Sequence, residues 1–128
     1  MEKTGYFYWR TGYISSSVNN VNDLKQIQMD YKDLENKITL WANARNILHS
    51  ENAHKQFMKF IEESGELSQA ILKNRPNDIA DAFGDVLVTL IILSKQLDYD
   101  LIKCLEIAYN EIKDREGKTV DGVFVKNE

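Results

Sequence analysis

Apolar side chains recur at helical intervals through most of this chain, in runs closed by polar or chain-breaking residues. Phe57, Phe60, Ile61, Leu67 and Ile71 form the apolar side of a helix that Ser50 is placed to N-cap and that runs to about Lys73. The single proline, in KNRPND, ends that helix, and Asn77 is expected to cap the next, from about Asp78 to Gln96. In this run Ile79, Phe83, Val86, Leu87, Leu90 and Ile91 leave almost no exposed face beyond the aspartates. Asp98 or Asp100 then caps a helix to about Asp114, with Leu101, Ile102, Leu105, Ala108, Tyr109 and Ile112 at core spacing. Upstream, Leu24, Ile27, Met29, Tyr31, Leu34, Ile38 and Trp41 approximate a helical repeat from Val21 to about Leu48. It reads as one long helix, or as two short ones interrupted near Met29 to Asp33.

The two ends break this pattern. Residues 1–20 are aromatic and β-favouring around Tyr6 to Tyr13, then turn to serine and asparagine, and predict an extended arm, a short strand or a hairpin. The closing REGKTVDGVFVKNE holds two glycines and a β-branched run, and predicts a turn plus a short extended segment. The expected architecture is an all-α four-helix bundle over residues 21–128, with short extended ends.

Composition narrows the function classes. The 128 residues suit one domain, with 43% hydrophobic and 28% charged residues and a net charge of −4. That charge lacks the basic footprint of phosphate-backbone binding, so a nucleic-acid partner is not expected. Cys104 is the one cysteine, which excludes an intramolecular disulfide and a cysteine-rich zinc site and makes a reducing cytoplasm the simplest compartment. No apolar run approaches the roughly 20 residues that span a bilayer, and the first residues do not read as a signal peptide or membrane anchor. His49 and His54, five apart with no matching cysteine, read as surface or cap residues.

The chemistry lies in two acidic stripes. Glu63 and Glu66 sit about 60° apart on one helical face, with Gln56 and Lys59 on the same stripe, whereas Glu62 points elsewhere. On the next helix Asp78 and Asp85 nearly superimpose in projection, and Asp81 lies about 40° from Asp85. A short connection lets the stripes face each other across an antiparallel pair. Facing carboxylates raise one another's pKa and destabilise the fold unless a divalent cation lies between them, and oxygen donors suit Mg²⁺. Acidic helix faces are more often simply solvated. Asp81 and Asp85 argue otherwise, because aspartate is a poor helix former and both are embedded in the apolar run IADAFGDVLVTLII, where a buried aspartate needs a partner.

FIEESGELSQAILKN followed by DIADAFGDVLVTLIIL resembles the MazG-like nucleoside triphosphate pyrophosphohydrolases, whose motif is EExxE, a spacer, then ExxD. The resemblance covers roughly Trp41 to Lys126, including WANAR and an ending, AYNEIKDREGKTVDGVFVK, similar to that of phage and Gram-positive members. It implies a MazG-like helical bundle; a monomer of four helices would leave the second apolar face of Asp78 to Gln96 exposed, so a homodimer or homotetramer is expected. It also implies hydrolysis of a nucleoside or deoxynucleoside triphosphate to the monophosphate and pyrophosphate, with Mg²⁺, or alternatively Mn²⁺, as cofactor. Glu63, Glu66 and Asp85 match the metal-binding positions, and Glu62 is expected as a ligand or water-orienting base. The position three residues before Asp85, where the family has glutamate, is Ala82, so Asp81 or Asp78 would have to supply that oxygen.

Further residues follow from the same resemblance. Asn110, Lys113 and Arg115, with Lys118 nearby and Lys126 as a weaker candidate, correspond to the region used against phosphates. The same cations would also complement a helix C-terminus. Base or sugar contact is assigned to Trp41, Gln56 or Lys59, with a core position as the other reading of Trp41. The competing functions are a non-catalytic nucleotide- or protein-binding helical module, inactivated at Ala82, and a phosphoribosyl-ATP pyrophosphohydrolase.

Overall fold

A computed structural model describes residues 29–128. The aromatic arm over residues 1–20, and the predicted helical turns up to residue 28, lie outside the described residues. The described chain is mostly helical, with α1 (Tyr31–Ala44), α2 (Ala53–Leu72), α3 (Pro76–Gln96) and α4 (Leu101–Ile112) followed by β1 (Gly117–Val120) and β2 (Val123–Lys126). It divides into two compact units, one ending at Asp98 and one spanning Tyr99–Glu128.

Local chemistry explains the helix boundaries. Asp30 opens α1 by accepting the Asp33 N–H at 2.9 Å, inside the interval where the pattern allowed an interruption. Asp100 opens α4 in the same way through the N–H groups of Ile102 and Lys103, which decides between the two predicted caps. Two other expected caps are corrected. Ser50 begins a 3-10 turn, Ser50–Asn52, and α2 starts at Ala53 behind Asn52 with no side-chain cap. Asn77 lies inside α3, because Pro76 is its first residue and Arg75 its N-cap. A proline needs no N–H partner at that position and arrives with a helical φ, so it starts α3 where it was expected only to end α2.

Both α1 and α2 end in the same backbone device. After Lys73, Asn74 turns left-handed at φ 49°, the Arg75 N–H bonds back to Ala70 C=O at 3.1 Å, and the Asn74 N–H bonds to Ile71 C=O. Asn46, at φ 59°, closes α1 with the equivalent pair, Ile47 N–H to Ala42 C=O and Asn46 N–H to Asn43 C=O. Asparagine tolerates this conformation where most side chains do not. The chain therefore reverses within three residues between α2 and α3, and the two helices pack antiparallel.

In the first unit α1 and α2 both lie on α3. Ala42, Ala70, Ala82, Ile91 and Ile92 form its buried apolar centre. The predicted core is corrected at its large residues: Phe57, Ile61, Ile71, Phe83, Leu87 and Trp41 are each about half exposed. Ala42, Ala70 and Ala82 are buried together with Ile91 and Ile92, whereas these six larger side chains stay partly outside the contact. Polar groups tie the helices together: Lys95 Nζ on α3 donates to Glu35 Oε1 on α1, and Gln96 Nε2 donates to Ile47 C=O at 2.7 Å. The Glu35 side chain is 1% exposed, and the Lys95 hydrogen bond holds its carboxyl below the ordinary value against the opposing effect of burial.

The second unit contains α4 and an antiparallel hairpin in the register Gly117↔Lys126 to Val120↔Val123. Asp121 and Gly122 make its two-residue turn with φ 49° and 79°. The predicted turn and extended segment are thus two paired strands. Asp-Gly between β-favouring residues was the sequence signal for that hairpin. On α4, Leu105, Tyr109 and Ile112 are exposed and Cys104 is half-buried. Among the described residues, no helix is long and apolar enough to cross a membrane.

Candidate functional site

The antiparallel α2–α3 pair brings the two acidic stripes together. Glu66 from α2 and Asp78, Asp81 and Asp85 from α3 line one cleft, of about 310 Å³, whose remaining lining is Gln69, Ala70, Ala82 and Arg75. The buried Ala70 and Ala82 form its apolar floor, and the carboxylates stand around it. Where the family motif has glutamate, this chain therefore puts a small side chain that closes the helix contact. Asp81 is exposed and Asp85 half-buried, so the expectation that the apolar run buries both is corrected: each sits on the cleft side of α3, open to solvent.

Among these acids Glu63 carries a shifted pKa. Its side chain is 15% exposed, and its Oε2 is buried with no hydrogen-bond partner. Burial, and then the negative charges of Glu66 and Asp85, push its carboxyl above the ordinary range; Lys59 Nζ, 3.8 Å away, opposes them only in part. A proton on either acid would let Glu63 and Glu66 share a hydrogen bond, which adds to the rise.

Glu62 stands apart from the cleft lining, 56% exposed and 3.0 Å from Lys59 Nζ. That hydrogen bond, followed by the charges of Glu62, Glu63 and Glu66, raises the Lys59 ammonium above its ordinary value. Gln56 donates to Thr89 C=O at 3.3 Å and so cross-links α2 to α3. Trp41, 48% exposed with the Arg45 guanidinium 4.1 Å from its ring, lines a separate groove with Lys37, Ile38 and Val88. Asp85 lines that groove as well as the acidic cleft. His49 and His54 are exposed, with His49 Nε2 2.7 Å from Asn46 Oδ1. Asn110, Lys113, Arg115, Lys118 and Lys126 belong to the second unit.

Sequence reasoning missed Arg75. The available signal was its position, immediately before a helix-initiating proline in the link between the two acidic helices. Glu35 was missed too, and no local pattern marks it.

The acidic donors lining the cleft are all carboxylate oxygens, which suit a hard divalent cation; Glu63, whose Oε2 is buried without a hydrogen-bond partner, stands behind that lining and not in it. Among the described residues, no three Asp, Glu, His or Cys side chains stand close enough together to hold an ion as they are.

Comparison with known proteins places this geometry in a family. The MazG nucleotide pyrophosphohydrolase domain matches residues 52–118, just over half of the chain and all of α2, α3 and α4. An uncharacterized 18.2 kDa protein from the rep-hol intergenic region of Haemophilus phage HP1 (strain HP1c1) is 40% identical over 73 residues. The match covers 57% of this chain and 45% of that protein, so the chain spans less than half the length of this relative. No solved structure matches the chain.

Proposed function

Because the chain belongs to the MazG nucleotide pyrophosphohydrolase domain family, we propose that it hydrolyses a nucleoside or deoxynucleoside triphosphate to the monophosphate and pyrophosphate. The observation that carries this reading is the cleft lined by Glu66, Asp78, Asp81 and Asp85, next to Glu63 with its buried Oε2 that no donor reaches, all inside the matched segment. The phage relative is uncharacterized and adds no activity to this reading.

Glu63, Glu66 and Asp85 would hold Mg²⁺ or Mn²⁺, with Asp81 or Asp78 in place of the oxygen that Ala82 does not provide. Bound there, the ion would neutralise triphosphate charge and polarise phosphorus. The protein's own groups do the rest. A water oxygen bonds to phosphorus at the bridge between the first two phosphoryl groups, the bridging P–O bond breaks, and pyrophosphate leaves with the bond's electron pair. The water's proton passes to a carboxylate, for which the raised Glu63 is best suited when it is not engaged as a ligand, with Glu62 as the solvent-side alternative. Lys59 orients Glu62 and Glu63, and the Gln56 bond to Thr89 fixes the spacing of the two helices. The groove of Trp41, Ile38 and Val88 offers an apolar bed for the nucleoside beside Asp85. Asn110, Lys113 and Arg115 are assigned to phosphate contact on the family resemblance.

Assembly as a homodimer or homotetramer is part of the same reading. It is supported by Phe57, Ile61, Phe83 and Leu87, large apolar side chains that the first unit leaves about half exposed. A second reading, a nucleotide-binding module without turnover, draws on Ala82, since the cleft floor lacks one family carboxylate.

Pyrophosphate release from each ribo- and deoxyribonucleoside triphosphate with Mg²⁺ tests the proposal. At least one substrate should be cleaved, and Glu63→Ala and Asp85→Ala should each slow cleavage by roughly a hundredfold or more. No release from any triphosphate, or unchanged release by both variants, would refute the hydrolase reading.

A further inference from the structure

Among the described residues lining the acidic cleft, Arg75 is the one cation. Lys59, the other basic group close to these acids, is committed to Glu62 and Glu63 and does not line the cleft. Arg75 has a fixed backbone and a solvent-exposed head. Its N–H is bonded to Ala70 C=O, and its C=O accepts the Ile79 N–H at 2.9 Å, so the residue is held between α2 and α3. Its side chain is 57% exposed, and its ion-pair partner, Asp78 at 3.5 Å, is equally exposed. A pair between two such solvated groups contributes little and exchanges easily.

The cleft also has a direction. Asp85 lines both the acidic cleft and the apolar groove of Trp41, Ile38 and Val88. A nucleotide with its nucleoside in that groove therefore meets the carboxylates first at Asp85, and its phosphates run along α3 towards Asp78. Seven residues of helix separate Asp85 from Asp78, roughly 10 Å, a span suited to a chain of phosphoryl groups. Arg75 stands at the far end. A triphosphate keeps negative charge on its terminal phosphates even with a divalent ion bound, and carboxylates alone would repel it. A guanidinium fork matches two phosphoryl oxygens at once.

We propose that Arg75 binds the terminal phosphates of the substrate, the part released as pyrophosphate, exchanging Asp78 for phosphoryl oxygens when the nucleotide enters. This rests on the pyrophosphohydrolase reading above, and it assigns that site a phosphate-binding residue from the α2–α3 link.

Calorimetric titration of the full chain with magnesium pyrophosphate, without turnover, tests it in the wild type, Arg75→Ala and Arg75→Lys. Arg75→Ala should weaken binding about tenfold or more, with Arg75→Lys in between, because lysine keeps the charge but loses the fork. Nucleoside monophosphate should bind all three proteins alike, and unchanged melting midpoints would show that the variants are folded. Equal pyrophosphate affinity in the wild type and Arg75→Ala, no binding by the wild type, or an equal loss for the monophosphate would each overturn the assignment. Pyrophosphate release by the wild type is scored separately. Arg75-dependent pyrophosphate binding with no triphosphate cleavage would sink the hydrolase reading alone, and cleavage with Arg75-independent binding would sink the Arg75 assignment alone.

Discussion

Replacing Glu63 by glutamine should stabilise the metal-free protein at neutral pH. In the folded chain the Glu63 carboxylate is 15% exposed, its Oε2 has no donor, and Glu66 and Asp85 add like charge. An orphaned buried acceptor costs about 1–3 kcal/mol, and the residual exposure together with Lys59 at 3.8 Å places this one near the lower end, about 1 kcal/mol. Glutamine keeps the shape, removes the charge and offers an amide N–H to the neighbouring carboxylates. For a chain of this length the gain corresponds to about 4 °C in melting midpoint. The pH dependence has a definite sign. Folding raises the Glu63 pKa, so its contribution is favourable below the ordinary value of 4.5 and is lost as pH rises through the raised value. The glutamine variant should therefore out-melt the wild type at pH 7 and lose its advantage at pH 4. Excess Mg²⁺ should then reverse the order at pH 7, because a cation bound to Glu63 stabilises only the wild type through that oxygen. Scanning calorimetry in EDTA at both pH values, and with added Mg²⁺ at pH 7, reads all three effects. A variant that melts at or below the wild type in EDTA at pH 7, or whose gain survives at pH 4, would refute the electrostatic account of this cleft.

Two further outcomes test the scaffold. Lys95→Met should strand the buried Glu35 carboxylate and cost about 3–5 kcal/mol in urea denaturation, towards the lower end because Lys32 remains 3.5 Å away. The Glu35 pKa is depressed in the fold, so the pair's contribution is present above pH 4.5 and lost as pH falls through the lowered value; the variant's deficit should shrink in acid, and a deficit constant with pH would contradict this. Gly117→Ala should loosen the hairpin, since a Cβ there collides with Val125 C=O, Lys126 Cα and the Phe124 ring, two of them backbone. A cost of about 1–3 kcal/mol predicts at least several-fold faster amide exchange across β1 and β2, and unchanged exchange would show that the strands absorb the methyl.

Much of this protein was legible along the chain because the information is local. The helical spacing of apolar positions marked α2, α3 and α4, Asp100 was among the predicted caps, and EExxE and Asp85 fell on consecutive helices with a link short enough to force them face to face. The acidic cleft follows from those facts. Local reading failed where the answer depended on a neighbour distant in sequence. Periodicity gives a side chain's direction about its own helix axis, but burial depends on what lies opposite. Hence Phe57 and Phe83 are half exposed while Ala70 and Ala82 are buried, and Glu35, charged and on a helix, is covered because Lys95 arrives from sixty residues away. Arg75 looked like a link residue and is a wall of the cleft. Ala82 looked like a missing ligand and is the floor on which α2 and α3 meet. Local pattern along the chain sets the helices and the acids they carry; the packing of α1 and α2 on α3 settles which faces close, because burial is a property of two surfaces and a sequence pattern describes one.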